Sequence, residues 1–165
     1  MVNFPNNSSM ADYDPNYLPQ KVYALIGQKA IIVNRKNQIL MLQRSEKSGA
    51  GGKWSLPGGA LEIEDPREGI EREIQEEVQL KVSGLKPFCL KSRTDGEDFI
   101  VIIGYVCRAR SKAVKLNWEH DNYKWLTKDE ALLLDLTPDG RYVVEQFDIA
   151  FAKATVVSFG SAKQK

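Results

Sequence analysis

The segment Arg72-Glu73-Ile74-Gln75-Glu76-Glu77 holds the side chains best suited to chemistry. On a helix turning ~100° per residue, Glu73, Glu76 and Glu77 take neighbouring positions on one side. Carboxylates at i, i+3 and i+4 repel one another, and more strongly where water is excluded. A divalent cation removes that repulsion, and carboxylates that leave several waters on the ion are the surroundings Mg²⁺ prefers. The competing reading is a solvated helix face on which Arg72 pairs with Glu76 across one turn. Helix spacing alone leaves both open. Just upstream stands Pro57-Gly58-Gly59, where proline fixes the chain's approach and glycines let backbone come close to a metal or phosphate. His120, the only histidine, is expected at the surface; one histidine with no cysteine nearby makes no zinc site. Cys89 and Cys107 lie in apolar, strand-like runs and read as buried, reduced thiols of a cytoplasmic protein.

The elements that must position these residues can be read from the rest of the chain. Asp65 is a good N-cap, Pro66 suits the first helical position, and Glu68 is placed as a capping-box partner. Ile70, Ile74 and Val78 recur every four residues, which predicts a helix over Pro66 to Val78 with one apolar stripe. That stripe adjoins the acidic side, so Glu73 and Glu77 should sit near the core boundary. Before the helix, the runs Val22 to Val33 and Gln38 to Gln43 predict a hairpin turning at Asn34 to Asn37. After it, Lys86 to Arg93 and Phe99 to Arg110 predict paired strands joined at Thr94 to Glu97. Asn122 to Leu126 reads as a short strand and Lys128 to Leu134 as a short helix. Thr137 and Pro138 open a last helix with Val143, Val144, Phe147 and Phe151 on one side. A polar arm over residues 1–20, one domain over 21–157 and a tail over 158–165 complete the expected organisation.

The composition is that of an ordinary globular domain, with 42% apolar and 27% charged residues. Lys and Arg number 23 against 22 Asp and Glu, a formal net charge of +1. That balance gives no broad attraction for duplex nucleic acid or a membrane surface, and no apolar run approaches the ~20 residues that span a bilayer. An anionic substrate must be captured locally, by a few cations or a metal.

From Gly58 to Leu80 the chain resembles the Nudix box, the signature of the Nudix hydrolases. That signature is a Gly, five residues, a Glu, seven residues, then Arg-Glu-aliphatic-x-Glu-Glu-x-Gly-aliphatic. Counting from Gly58 puts Glu64, Arg72, Glu73, Ile74, Glu76, Glu77 and Leu80 on its fixed positions. The order of elements likewise fits an α/β protein of the Nudix type, an α/β/α sandwich around a mixed central sheet. Two departures stand out. Gln79 occupies the place of a glycine that takes a left-handed backbone. The stretch Gly58-Gly59-Ala60-Leu61-Glu62-Ile63-Glu64 is one residue shorter than in members with a Gly-Gly pair, which leaves open which glycine carbonyl faces a metal.

The resemblance implies roles. Glu73, Glu76 and Glu77 would hold one to three Mg²⁺ ions, with Mn²⁺ as a substitute and a carbonyl near Gly58 or Gly59 as a further ligand. Arg72 would orient Glu73. The general base would be a box glutamate, Glu73 or Glu76, or a later one, for which Glu119 is the best placed. Arg44, Gly58, Gly59 and Trp118 would meet substrate, with Arg93 and Lys53 as lesser candidates for phosphate. The implied reaction is hydrolysis of a diphosphate bond in a nucleotide, best a nucleoside triphosphate cut to monophosphate and pyrophosphate. ADP-ribose or a nucleotide sugar is the alternative substrate, and a non-catalytic nucleotide-binding module the alternative class. The expected partner is a small nucleotide, met by a monomer or homodimer. Isopentenyl diphosphate isomerase chemistry on the same fold needs more histidines than the single His120.

Overall fold

The computed structural model describes residues 22–111 and 113–150. The expected N-terminal arm, the C-terminal tail and Phe151 lie outside them. Among the described residues, nine elements follow in order: β1 (Leu25–Val33), β2 (Ile39–Arg44), β3 (Trp54–Ser55), α1 (Pro66–Val78), β4 (Val82–Asp95), β5 (Asp98–Ala109), β6 (His120–Leu126), α2 (Lys128–Leu132) and α3 (Pro138–Gln146). The strands form one mixed sheet in the order β3-β2-β1-β5-β4, with β6 also paired to β2. β1 runs parallel to β5 along its whole length, and the other pairings are antiparallel.

Alternation along the central strands decides what covers each face, because successive side chains point to opposite sides. Ile31, Val33, Ile39, Met41, Ile102 and Val106 face a core closed by α2 and α3 through Ala131, Val143, Val144 and Phe147. Ala30, Ile32, Leu40, Leu42, Tyr105 and Cys107 face the other core, closed by Ile70, Ile74 and Val78 of α1. Burying an isoleucine of this kind contributes roughly 1.5–3 kcal/mol. The result is an α/β protein with a mixed sheet between helical layers, as the sequence predicts.

The ends of the elements differ from expectation in instructive ways. β1 begins at Leu25, leaving Val22 to Ala24 exposed. β4 begins at Val82, four residues before the predicted start. Gly84 with its positive φ and Pro87 both disfavour a strand, yet register shifts between Ser83 and Lys86 and between Pro87 and Cys89 absorb them on this outer strand. The β4–β5 turn narrows to Gly96-Glu97. Asp65 caps α1 by accepting from the Arg67 N–H, while the reciprocal capping box occurs in α2, between Thr127 and Glu130.

Gln79 ends α1 in the left-handed conformation, φ 51° and ψ 30°, with its N–H on the Gln75 carbonyl. A side chain there costs about 1 kcal/mol that glycine avoids. The exposed Gln79→Gly change should therefore stabilise the fold by about 1 kcal/mol, raising Tm by a few degrees. Denaturant unfolding checks this, and an unchanged or lower stability would contradict it.

Candidate active site

The glycine loop is laid along β1. Ala30 N–H donates to the Pro57 carbonyl and Gln28 N–H to the Gly59 carbonyl, each at 2.8 Å. Only glycine fits at the centre of this seam. Gly58 has φ +129°, and a Cβ there would stand 2.2 Å from the Gln28 carbonyl oxygen. Gly59 backs onto the Glu73 carboxylate, whose oxygen would lie 2.7 Å from an added Cβ. With the Gly59 carbonyl used by the sheet, it is the Gly58 carbonyl that faces the charged side chains, where it accepts from Lys29 Nζ.

The acidic side of α1 divides into two arrangements. Arg72 organises one. Its Nη2 donates to Glu64 Oε1 at 2.8 Å and its Nη1 to Glu73 Oε1 at 2.8 Å and to Glu76 Oε2 at 3.3 Å. These bonds hold Glu64 below the usual carboxylate range and Arg72 above its ordinary value. Arg72 thus bonds Glu73 as well as Glu76, its neighbour one turn on. Glu77 forms the other arrangement. It is 3% exposed, and its Oε2 accepts the Gly58 N–H at 2.7 Å. Burial pushes its pKa up to about 7, relieved first by the Lys29 charge and then by the Gly58 bond, and opposed by Glu73 and Glu119. Glu73 is also pushed up by burial, against the pull of Arg72.

Around Glu77 gather residues from β2, β6 and the loop before β6. Arg44 ends β2 opposite His120, because a register shift skips Asp121; such bulges re-aim side chains beside functional sites. His120 is 4% exposed, which corrects the expected surface position. Its Nδ1 faces Asn117 Oδ1 at 3.2 Å and its Nε2 faces Glu77 Oε1 at 3.7 Å. Asn117 Oδ1 can only accept, so Nδ1 carries the proton and a neutral ring turns Nε2 toward Glu77 as an acceptor. Burial, then Arg44 and Lys29, lower its pKa to about 4. Glu119 is partly buried, with its carbonyl on Ser45 N–H at 2.7 Å and its carboxylate on Asn117 Nδ2 at 3.2 Å.

The structure thus brings Arg44, Gly58, Gly59, Arg72, Glu73, Glu77 and Glu119 into one region, with Glu76 on its exposed side. Trp118, 71% exposed, stands on the adjoining loop. Lys53 and Arg93 are engaged elsewhere, Lys53 with Asp135 and Arg93 with Asp95 and Asp139. Two residues at the centre escape sequence reasoning. Lys29 and His120 both lie in strands, and the only signal for Lys29 is a charge inside the apolar run of β1.

Among the described residues, no three His, Cys, Asp or Glu side chains are gathered about one point to hold an ion. Arg72 keeps Glu73 and Glu76, and Gly58 keeps Glu77. The donors nevertheless fit a hard divalent cation. They are carboxylate and carbonyl oxygens, and Glu73 and Glu77 carry burial costs that a cation would offset.

A family model described as the NUDIX domain matches residues 26–147. The chain belongs to the Nudix family. It is 27% identical over 128 residues to the nucleoside triphosphatase NudI of Enterobacter sp. (strain 638), covering 70% of this chain and 91% of that protein. Among solved structures it is similar to a MutT Nudix hydrolase from Burkholderia pseudomallei, with a TM-score of 0.67 and 26% identity over 77% of this chain and all of that one. It is also similar to a MutT protein from Methanosarcina mazei Go1, with a TM-score of 0.64 and 27% identity over 82% of this chain and 99% of that one. The protein is a Nudix hydrolase, and among its described residues no helix is long and apolar enough to cross a membrane.

Glu77 gives this Nudix hydrolase a pH signature in the absence of metal. Its folded-state pKa lies above the ordinary 4.5. Between about 4.5 and 7, the unfolded chain releases a proton that the folded chain keeps, so stability falls as pH rises through that window. Glutamine can keep the Gly58 bond and has no proton to lose there. In chelator, the Tm of Glu77→Gln minus that of the parent should increase from pH about 4.5 to pH about 7.5. A difference that stays constant would contradict the burial assigned to this carboxylate.

Proposed function

We propose that this Nudix hydrolase uses Mg²⁺ to cut a nucleoside triphosphate to the monophosphate and pyrophosphate. The observation that carries the metal assignment is the pair of upward-shifted carboxylates beside the Gly58 loop, Glu77 buried and Glu73 half-buried. Glu73, Glu76 and Glu77 would hold the ion, with Mn²⁺ as a substitute. Such an ion supplies polarisation of a phosphoryl oxygen and a more acidic water. The triphosphate is supported by the similarity to NudI, named a nucleoside triphosphatase and covered over 91% of its length.

The chain's own groups would do the rest. Arg72 would fix the Glu73 carboxylate and, by donating from the same Nη1 to Glu76, offset the repulsion between the two acids. Arg44, at the open end of β2, would bind phosphate oxygens. Gly58 and Gly59 leave room for them along the loop, and Trp118 offers an exposed ring on which a base can stack. Glu119 would take the proton of the attacking water, a role for which Glu73 or Glu76 is the rival. All the box acids are present, which supports catalysis over simple nucleotide binding. The free thiols Cys89 and Cys107, both pushed up by burial, suit a reducing, cytoplasmic setting.

A panel of nucleoside triphosphates, ADP-ribose, nucleotide sugars and dinucleoside polyphosphates, run with Mg²⁺ in ¹⁸O-labelled water, tests this. Pyrophosphate release from a triphosphate is the expected result; preferential cleavage of ADP-ribose or a sugar nucleotide would move the substrate, and no turnover would refute the reaction. The Glu76 side chain is 56% exposed, so Glu76→Gln should cut turnover about a hundredfold or more while leaving Tm nearly unchanged. Full activity in that variant would contradict the metal role of Glu76.

A further inference from the structure

Lys29 is the one charged residue of β1, and it sits where the glycine loop turns its carbonyl toward the acids. Its ammonium donates to the Gly58 carbonyl, on the same residue whose N–H holds Glu77. Gly58 is therefore clasped from both sides, by the Lys29 amine on its oxygen and the Glu77 carboxylate on its nitrogen. The influence is reciprocal. Glu77 is the first of the charges that offset the burial of Lys29, and Lys29 is the first to offset the burial of Glu77. Glu73 and Asp139 act on Lys29 in the same sense, and Arg44 against it. Burial lowers the amine from its ordinary value, while these three acids favour its charged form.

We propose that Lys29 is a built-in cation of the active site, occupying the Gly58 carbonyl and offsetting Glu77, so that the site takes fewer divalent ions than its oxygen donors would otherwise hold. The proposal rests on the reading of the acidic patch as a divalent-ion site. Its physical content is a competition. An oxygen bonded to an ammonium is not free to ligate an ion, and a unit positive charge nearby repels a second cation. Without Lys29, the carbonyl becomes free and Glu77 loses its principal relief, and a divalent ion can supply both.

Binding of Mn²⁺ to the full-length, metal-free chain tests this without substrate or turnover, with unbound Mn²⁺ counted by its electron paramagnetic resonance signal. Lys29→Met, similar in length and uncharged, is expected to bind one more ion than the parent or to bind its first ion at least about tenfold tighter. Lys29→Arg, which keeps the charge, is expected to bind like the parent. A folded Lys29→Met protein with the parent's stoichiometry and affinity would overturn the proposal. If Lys29→Met does not fold, Lys29→Gln replaces it: its amide can keep the Gly58 bond without the charge, and affinity alone is then read, with tightening expected and no change overturning. Should the parent bind Mn²⁺ and the uncharged variants match it, the built-in cation alone fails. Should no form bind Mn²⁺, the ion site falls as well.

Discussion

The bond from the Gly58 N–H to the buried Glu77 carboxylate joins three pieces of structure that sequence keeps apart. Glu77 belongs to the last turn of α1, Gly58 to the glycine loop, and that loop is bonded to β1 through Pro57 and Gly59. A fourth contact returns to the other end of the helix, where Gln28 Nε2 on β1 donates to the Pro66 carbonyl at 2.6 Å. Both ends of α1 are therefore fixed to one strand. The acids on the helix inherit that rigidity, which the proposed site for a small, geometry-demanding ion would require.

Rigidity of this kind carries an electrostatic cost. A carboxylate withdrawn from water is expensive unless paired, and here the compensation comes from the Gly58 N–H and from the Lys29 amine on the far side of the same glycine. The incomplete compensation leaves Glu77 with a raised pKa. Arg72 does for Glu73 and Glu76 what Gly58 and Lys29 do for Glu77. The acids thus stand in two clusters around the glycine loop, one bonded to Arg72 and the other to the Gly58 N–H.

Much of this was legible in the sequence, and the reasons differ by residue. The Asp65-Pro66 start and the Ile70, Ile74, Val78 stripe are local signals, so α1 was predicted with its observed bounds. The Ile, Leu and Val runs of β1 and β2 are local signals for a hairpin, and the sandwich follows from the order of elements together with the Nudix resemblance. The spacing of Arg72, Glu73, Glu76 and Glu77 is likewise local and identified the family. What escaped depends on partners remote in sequence. His120 is buried because a bulge in β6 turns it toward Glu77, 43 residues earlier by the numbering (120 − 77). Lys29 carries no local sign of a role until the loop at Gly58 is laid beside it. The first part of β4 has no clear signal because Gly84 is a breaker in most settings, and only the irregular pairing with β5 accommodates it.

The most direct test of the central claim is anomalous diffraction from crystals of the full chain grown with Mn²⁺ and a non-cleavable nucleoside triphosphate analogue. Manganese peaks are expected on the carboxylates of Glu73, Glu76 and Glu77, with Glu73 and Glu76 drawn from Arg72 toward the ion and the analogue's phosphates on the same metal. Manganese absent from that patch, with Glu73 and Glu76 still on Arg72 while the analogue binds elsewhere, would contradict it.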